Sequence, residues 1–470
     1  MLSYLGLIAA GTAILQVAAF DNSRYDNVFS YWGQNSYGAT HSDSANWQKS
    51  ISFYCNDNAI DVLPVAFLNV FFGPGGLPSI NLANTCNPTD NATFPGTNLP
   101  DCSSLASEIK ACQAKGKLVT LSLGGATGSV GFQSDDQATT FAQTIWNLFL
   151  GGSSSTRPFG SAVLDGVDLD IEGGGSDHYV TFVNKIRSLA NGASKKYYIT
   201  AAPQCVYPDA ALSGVLNSAN FDAIYGWFYN NPCGLQVYPS TNWDFGIWDN
   251  WARTISPNRN AKVYIGAPAS STAAGGGYVD INTLKNIAVT MRHSFPSFGG
   301  VMLWDASQAY ANNRYDKAIK DALVAAGGTG FTFPSCSAPA WVSGQAYTQG
   351  SKAKWWSSSQ PASNPNGDWS AISACSGGSV QPPSSTSSST GPTPTSGTCS
   401  GVAAWVSSVA YQGGQQVVYN SHLWTAKWWT QGETPGGASG VWTDNGACSS
   451  SRAASANNTT STKNSRFFRL

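Results

Sequence analysis

The chain has 470 residues, a formal net charge of -1 and only 11% charged residues. Nucleic acids and acidic membranes are bound largely through clustered Lys and Arg, so this balance argues against both as partners. At roughly 150 residues per domain the length allows two or three domains, and a composition with 49 Gly and 17 Trp suits a neutral, hydrogen-bonding ligand.

In chain order, the first feature is an apolar run from Leu5 to Ala19 that ends in the small residues Val17-Ala18-Ala19. A run this short at the extreme N-terminus reads as a signal peptide over 1–19 rather than a membrane span. No later stretch is long and apolar enough to cross a bilayer. The ten cysteines include no Cys-x-x-Cys. In an exported chain they read as disulfides, not as a zinc or thiol-redox site. The sequons at Asn91, Asn457 and Asn458 fit the same route. The expected location is therefore secreted, extracellular or in a cell wall.

From Val28 to Ser307 short apolar runs alternate with helical stretches. Eight candidate strands can be read: Phe29–Gly33, Asp61–Phe71, Leu118–Gly124, Gly166–Glu172, Tyr198–Gln204, Ala223–Tyr229, Val263–Ala267 and Gly300–Trp304. Their Val, Ile and aromatic content suits parallel strands buried on both faces. Eight repeats of strand and helix predict an α/β fold, a (β/α)8 TIM barrel over 20–333.

The fourth strand carries the sharpest signal, Asp165-Gly166-Val167-Asp168-Leu169-Asp170-Ile171-Glu172. Strand alternation sends Val167, Leu169 and Ile171 toward the helices, and Asp168, Asp170 and Glu172 into the barrel. Residues on one face of a strand lie about 6.5 Å apart. Three inward acids at that spacing cannot all be ionised at low dielectric, so a proton is retained among them. A retained proton near neutral pH is what a general acid needs. Asp165 has the opposite parity and reads as structural.

Asp-x-x-Asp-x-Asp-x-Glu resembles the signature of glycoside hydrolase family 18. Further motifs extend the likeness over about 25–330: Tyr31-Trp32-Gly33-Gln34-Asn35, Ser122-Leu123-Gly124-Gly125, Ala201-Ala202-Pro203-Gln204-Cys205, Phe228-Tyr229-Asn230-Asn231 and Gly300-Val301-Met302-Leu303-Trp304. Together they are similar to the plant and fungal class III chitinases. The resemblance implies Glu172 as general acid, and Asp170 as the group that orients the substrate's 2-acetamido group while its oxygen attacks the anomeric carbon. It implies Asp168 as holder of the shared proton, Tyr229 as donor to the acetamido oxygen, Trp304 as the apolar floor, and Tyr31 and Asn81 as cleft-lining residues. It also implies the disulfides Cys55–Cys112, Cys86–Cys102 and Cys205–Cys233. The chain departs from plant relatives at Trp227, where they carry Gln. By parity Trp227 faces inward beside Tyr229 and is read as a further stacking face for sugar.

Beyond Phe333 the helical periodicity stops, and nine of the 17 tryptophans lie past residue 338. The segments Ala340–Cys375 and Ala403–Cys448 share Ala-Trp-Val-Ser, Ala-Tyr and Ala-Lys-Trp-Trp, an internal duplication. A Ser/Thr/Pro linker at 376–398 separates them, and 449–470 reads as a disordered tail. Cys336 and Cys375 bracket the first copy (336–375), and Cys399 and Cys448 the second (399–448). A disulfide across each is the staple such small all-β domains require. The second copy resembles carbohydrate-binding module family 5/12, which assigns Trp405, Tyr419, Trp424, Trp428 and Trp429 to chitin binding. In the first copy only eight residues separate Tyr347 from Trp355, against seventeen between Tyr411 and Trp428, so it is a truncated version.

The four histidines are scattered, and no metal or nucleotide motif is present. The resulting expectation is a monomeric, endo-acting retaining chitinase without metal or cofactor. Its partners would be chitin and chitin oligosaccharides. The alternatives are an endo-β-N-acetylglucosaminidase or lysozyme-like enzyme on the same barrel, and an inactive chitin-binding lectin.

Overall fold

The computed structural model describes residues 20–173, 175–335, 337–339, 348, 351–353, 371–375, 399, 402–407, 410–411, 415–426, 430–437 and 441–448. The expected signal peptide and C-terminal tail lie outside the described residues, as do the linker, Cys336, Trp428 and Trp429. The chain divides into two units, 1–380 and 381–470.

In the first unit the strands are β1 (Asn27–Ser30), β2 (Val62–Val70), β3 (Ser79–Ile80), β4 (Leu118–Gly124), β5 (Gly166–Asp170), β6 (Tyr198–Ala201), β7 (Ala223–Trp227), β8 (Lys262–Pro268) and β9 (Phe298–Trp304). Among the described residues eight of them run parallel in the order β1-β9-β8-β7-β6-β5-β4-β2, and Phe29 pairing with Val62 closes β1 onto β2. This is the expected (β/α)8 barrel. The short β3, which is antiparallel to β2, had no counterpart in the sequence reading.

Two apolar sets hold the barrel. Outside, strand residues such as Val167, Leu169, Val263 and Val301 pack with helix residues such as Phe141, Phe182, Trp251 and Ile287. Inside, Phe29, Tyr225 and Tyr264 meet at ring distances of 4.4–5.7 Å and fill the lumen, with Met302 in the same cluster. The interior is thus a packed plug, and only its C-terminal end is free to form a site. Helix entries are fixed locally: Ser134 accepts from the Gln137 N–H ahead of Asp135–Phe149, and Asp280 from Asn282 and Thr283 ahead of Ile281–Ser294. Each such cap contributes about 1 kcal/mol. Asp165, at the foot of β5, accepts from the Val119 N–H at 2.8 Å and pairs with Lys195 at 2.7 Å, which is a structural role.

The pairs Cys55–Cys112, Cys86–Cys102 and Cys205–Cys233 are present. Cys375 is disulfide-bonded, but the expected partner Cys336 is outside the described residues. Just before it, Ala374 is buried in the outer core and its N–H donates to the Ser294 carbonyl at 2.8 Å. The last residues of the expected truncated module are therefore seated on the barrel.

The second unit contains β10 (Ala410–Tyr411), β11 (Gln416–Tyr419), β12 (His422–Ala426), β13 (Thr430–Gln431) and β14 (Trp442–Ala447). They form an antiparallel β11-β12-β14 sheet and a β10-β13 pair. Cys399–Cys448 staples the ends. The core is small, made of Tyr411, Val417, Ala426, Val441 and Trp442 with Trp405 and Trp424 packed on it. Among the described residues no helix of the chain is long and apolar enough to cross a membrane.

Candidate active site

The three acids of β5 and its exit occupy three environments. Asp168 is fully buried (0% exposed). Its carboxylate accepts from Tyr31 Oη at 2.7 Å, Ser122 Oγ at 2.8 Å and Thr200 Oγ1 at 2.8 Å. The last two come from the paired residues on β4 and β6, so strand register builds the cradle. Asp170 is 1% exposed, yet neither carboxyl oxygen has a hydrogen-bond partner among the described residues. Glu172 lies two residues past the end of β5 and is exposed at the mouth of the cleft.

Electrostatics follow from this placement. Burial raises the Asp168 pKa, and the three hydroxyls oppose it by solvating the charge. Burial also raises Asp170, and the charges of Asp168 and Glu172 push it further, well above the ordinary carboxylate range. Hydrogen bonds from the three hydroxyls favour the charged form of Asp168, whereas Asp170 receives none among the described residues. The cleft walls withdraw enough water from Glu172 to raise its pKa too. Burial, then Asp170 and Glu172, hold the Tyr229 hydroxyl firmly protonated.

A cavity of about 300 Å³ opens above this row, lined by Asp170, Glu172, Asn81, Trp227, Tyr229 and Trp304 among others. Trp227 and Tyr229 stack at 5.3 Å and 14°, as the parity of β7 requires. The Trp227 Nε1–H is buried without a partner among the described residues. Trp304 is half-buried at the end of β9. Asn81 presents itself to the cleft while its own amide oxygen accepts from the Ala83 N–H. Tyr31, expected to line the cleft, is instead 1% exposed and lies behind Trp304, with ring centroids 5.4 Å apart. Its hydroxyl is spent on Asp168, which makes it a support rather than a wall.

Sequence reasoning missed several lining residues, among them Gln34, Phe67, Asn69, Thr127 and Ala274. Phe67 stacks on Trp304 at 5.8 Å and 20°. Its inward aim is hidden by an irregularity in β2: register shifts between Val65 and Leu68, and the neighbours Ala66 and Phe67 both join the interior cluster. Gly124 shows the signal that was available. Its φ is 118°, and a Cβ there would fall 2.0 Å from the Asp170 carbonyl oxygen. Only glycine allows β4 to approach the acid strand this closely.

In the second unit Trp405 meets Tyr419 edge-on at 5.3 Å, and the Trp424 Nε1–H donates to the Tyr419 carbonyl at 3.1 Å. All three are half-buried. The structure thus gathers Trp405, Tyr419 and Trp424, while Trp428 and Trp429 are not described.

Residues 27–289 match Glycosyl hydrolases family 18, and residues 404–443 match Carbohydrate-binding module family 5/12. The chain is 48% identical over 328 residues to "Chitinase 2" of Rhizopus oligosporus, an alignment covering 70% of this chain and 58% of that protein. It is 39% identical over 337 residues to "Class III chitinase" of Arthroderma benhamiae, covering 69% of this chain and 93% of that one. Among solved structures, ICChI chitinase from ipomoea carnea superposes with a TM-score of 0.54 at 34% identity, covering 63% of this chain and 99% of that one. The match with the Rhizopus protein thus spans less than two thirds of that relative's length. Residues 404–443 are similar to the binding module, and barrel, acid row and sequence likeness agree that the chain belongs to glycosyl hydrolase family 18.

Proposed function

We propose that the chain is a secreted, monomeric chitinase that cleaves β-1,4 N-acetylglucosamine linkages internally and with retention, using the substrate's own acetamide as nucleophile. The observation that carries this reading is the acid row: one carboxylate cradled by three hydroxyls, one carboxyl left without hydrogen-bond partners among the described residues, and one acid open to the cleft. The chitinase names of the relatives support the choice of substrate.

Glu172 donates its proton to the glycosidic oxygen as the C1–O bond breaks. The acetamido carbonyl oxygen bonds to C1, which leaves a positive oxazolinium ring. Asp170 retains an acceptor lone pair even when protonated, and takes the acetamido N–H. The Tyr229 hydroxyl donates to the acetamido oxygen and holds it in line with C1. Water, deprotonated by Glu172, then attacks C1 from the face the leaving group vacated and opens the ring. Two inversions at C1 give net retention. Trp304, backed by Phe67, offers the apolar face on which the sugar rests. Because Glu172 stands at an exposed mouth, no chain end has to be threaded, which favours internal cleavage. The half-buried aromatic rings of the second unit would hold the enzyme on solid chitin.

The test compares chitin hexasaccharide with its fully deacetylated counterpart. The acetylated chain should be cut at internal bonds and the deacetylated one left intact. Equal cleavage of both, or none of the acetylated one, would overturn the reading.

A further inference from the structure

Tyr229 is followed by Asn230, whose backbone is left-handed at φ 55°. Asn is one of the few side-chain-bearing residues that visit this region readily. From there Asn230 grips the loop after β8 twice. Its N–H donates to the Gly276 carbonyl at 3.2 Å, and its Oδ1 accepts from the Gly276 N–H at 2.9 Å. The next residue, Gly277, has φ 95° and lies against the back of the tyrosine: a Cβ on it would come 2.6 Å from Tyr229 Cα and 2.7 Å from Tyr229 Cβ.

The ends of this loop are anchored elsewhere. Ser270 Oγ and Thr272 Oγ1 donate to Gln308 Oε1 at 2.5 and 3.1 Å, and Asn312 Nδ2 donates to Tyr278 Oη at 3.2 Å. Between the anchors come Gly275, Gly276 and Gly277, whose hydrogen bonds among the described residues all go to Asn230. Three successive glycines have a large conformational freedom to lose, so the loop does not hold its place unaided. On the other flank, Asn231 Nδ2 donates to the Tyr229 carbonyl at 2.9 Å and to Gln204 Oε1. Tyr229 is thus braced from both sides of its own backbone.

We propose that Asn230 is a positioning residue: it clamps the glycine loop against Tyr229 and so fixes the tyrosine hydroxyl over the acid row. This rests on the reading of Tyr229 as a hydrogen-bond donor to substrate. A hydroxyl misplaced by about 1 Å can cost up to about 10²-fold in rate.

The experiment uses the full chain on a chitin oligosaccharide, with kcat, KM and Tm measured for Asn230→Ala, Asn230→Gly and Asn230→Asp, each at its own pH optimum. Asn230→Asp keeps the Oδ1 acceptor and should retain activity. Asn230→Gly keeps the backbone conformation but lacks the acceptor, and should lose kcat about tenfold or more with little change in KM. Asn230→Ala should do the same; where it folds poorly, the Gly and Asp pair decides. In a Tyr229→Phe background the Asn230→Gly loss should vanish, because both act through one hydroxyl. Wild-type kcat in Asn230→Gly would overturn the proposal, as would the same fold-loss with and without the tyrosine hydroxyl. Wild-type kcat in Tyr229→Phe alone would instead overturn the role given to Tyr229.

Discussion

Replacing Asp170 with Asn should make the protein inactive and, at neutral pH, more stable. Asp168 and Asp170 are equally buried, but Asp168 receives hydrogen bonds from Tyr31, Ser122 and Thr200 whereas Asp170 receives none among the described residues. Hydrogen bonds to a charged group contribute about 1.5–3 kcal/mol each, and an unsatisfied buried polar group costs about 1–3 kcal/mol, more when charged. An isosteric amide is neutral without having to take up a proton on folding, so a gain of about 1–3 kcal/mol is expected. At roughly 2–4 °C per kcal/mol for a domain of this scale, Tm should rise by several degrees at pH 7. The pH dependence is fixed by sign. The folded pKa of Asp170 lies above its unfolded value, so its stabilising contribution is complete below the unfolded pKa and is lost as pH rises through the folded one. The Tm advantage of the Asn variant should therefore disappear below about pH 3.5, where unfolded Asp is itself protonated. Thermal unfolding followed by circular dichroism from pH 3 to 8 is the assay. A variant no more stable than wild type at pH 7, or equally advantaged at every pH, would refute the idea that Asp170 is held under electrostatic tension.

Other perturbations separate the parts of the site. Tyr31→Phe removes one donor to the Asp168 carboxylate without reaching the cleft surface, and should cost about 1.5–3 kcal/mol in denaturant unfolding. Glu172→Gln should lower kcat at least 10²-fold on chitin oligosaccharides. Wild-type kcat/KM should fall as pH rises through a Glu172 pKa displaced upward from its ordinary 4.5, since the general acid is then lost. Removing 376–470 should leave kcat/KM on soluble oligosaccharides unchanged while weakening retention on solid chitin, read by a pull-down.

The barrel was legible because its strands are continuous apolar runs of a length that helices rarely share, and each of the eight observed parallel strands overlaps one read from sequence. The acid row was legible because strand alternation is rigid: with Val167, Leu169 and Ile171 facing the helices, the acids had one direction left. Where alternation breaks, sequence reading fails. Ala66 and Phe67 face inward together because β2 is irregular there, so the ring beneath Trp304 escaped notice. Which acid is solvated by hydroxyls also escaped it. Spacing along β5 shows that a proton must be retained, but the hydroxyls of Tyr31, Ser122 and Thr200 come from three other strands or strand ends, and only their convergence shows which acid is solvated. Loop-borne lining residues such as Thr127 and Ala274 carry no periodic signal at all.

The most direct test of the account is the anomeric configuration of the first product released from a chitin oligosaccharide, read by proton NMR before mutarotation. Attack by the acetamide oxygen followed by water at the same carbon requires the β-anomer. An α-anomer would mean that water displaces the leaving group in a single step, and the roles given to Asp170 and Tyr229 would fall with it.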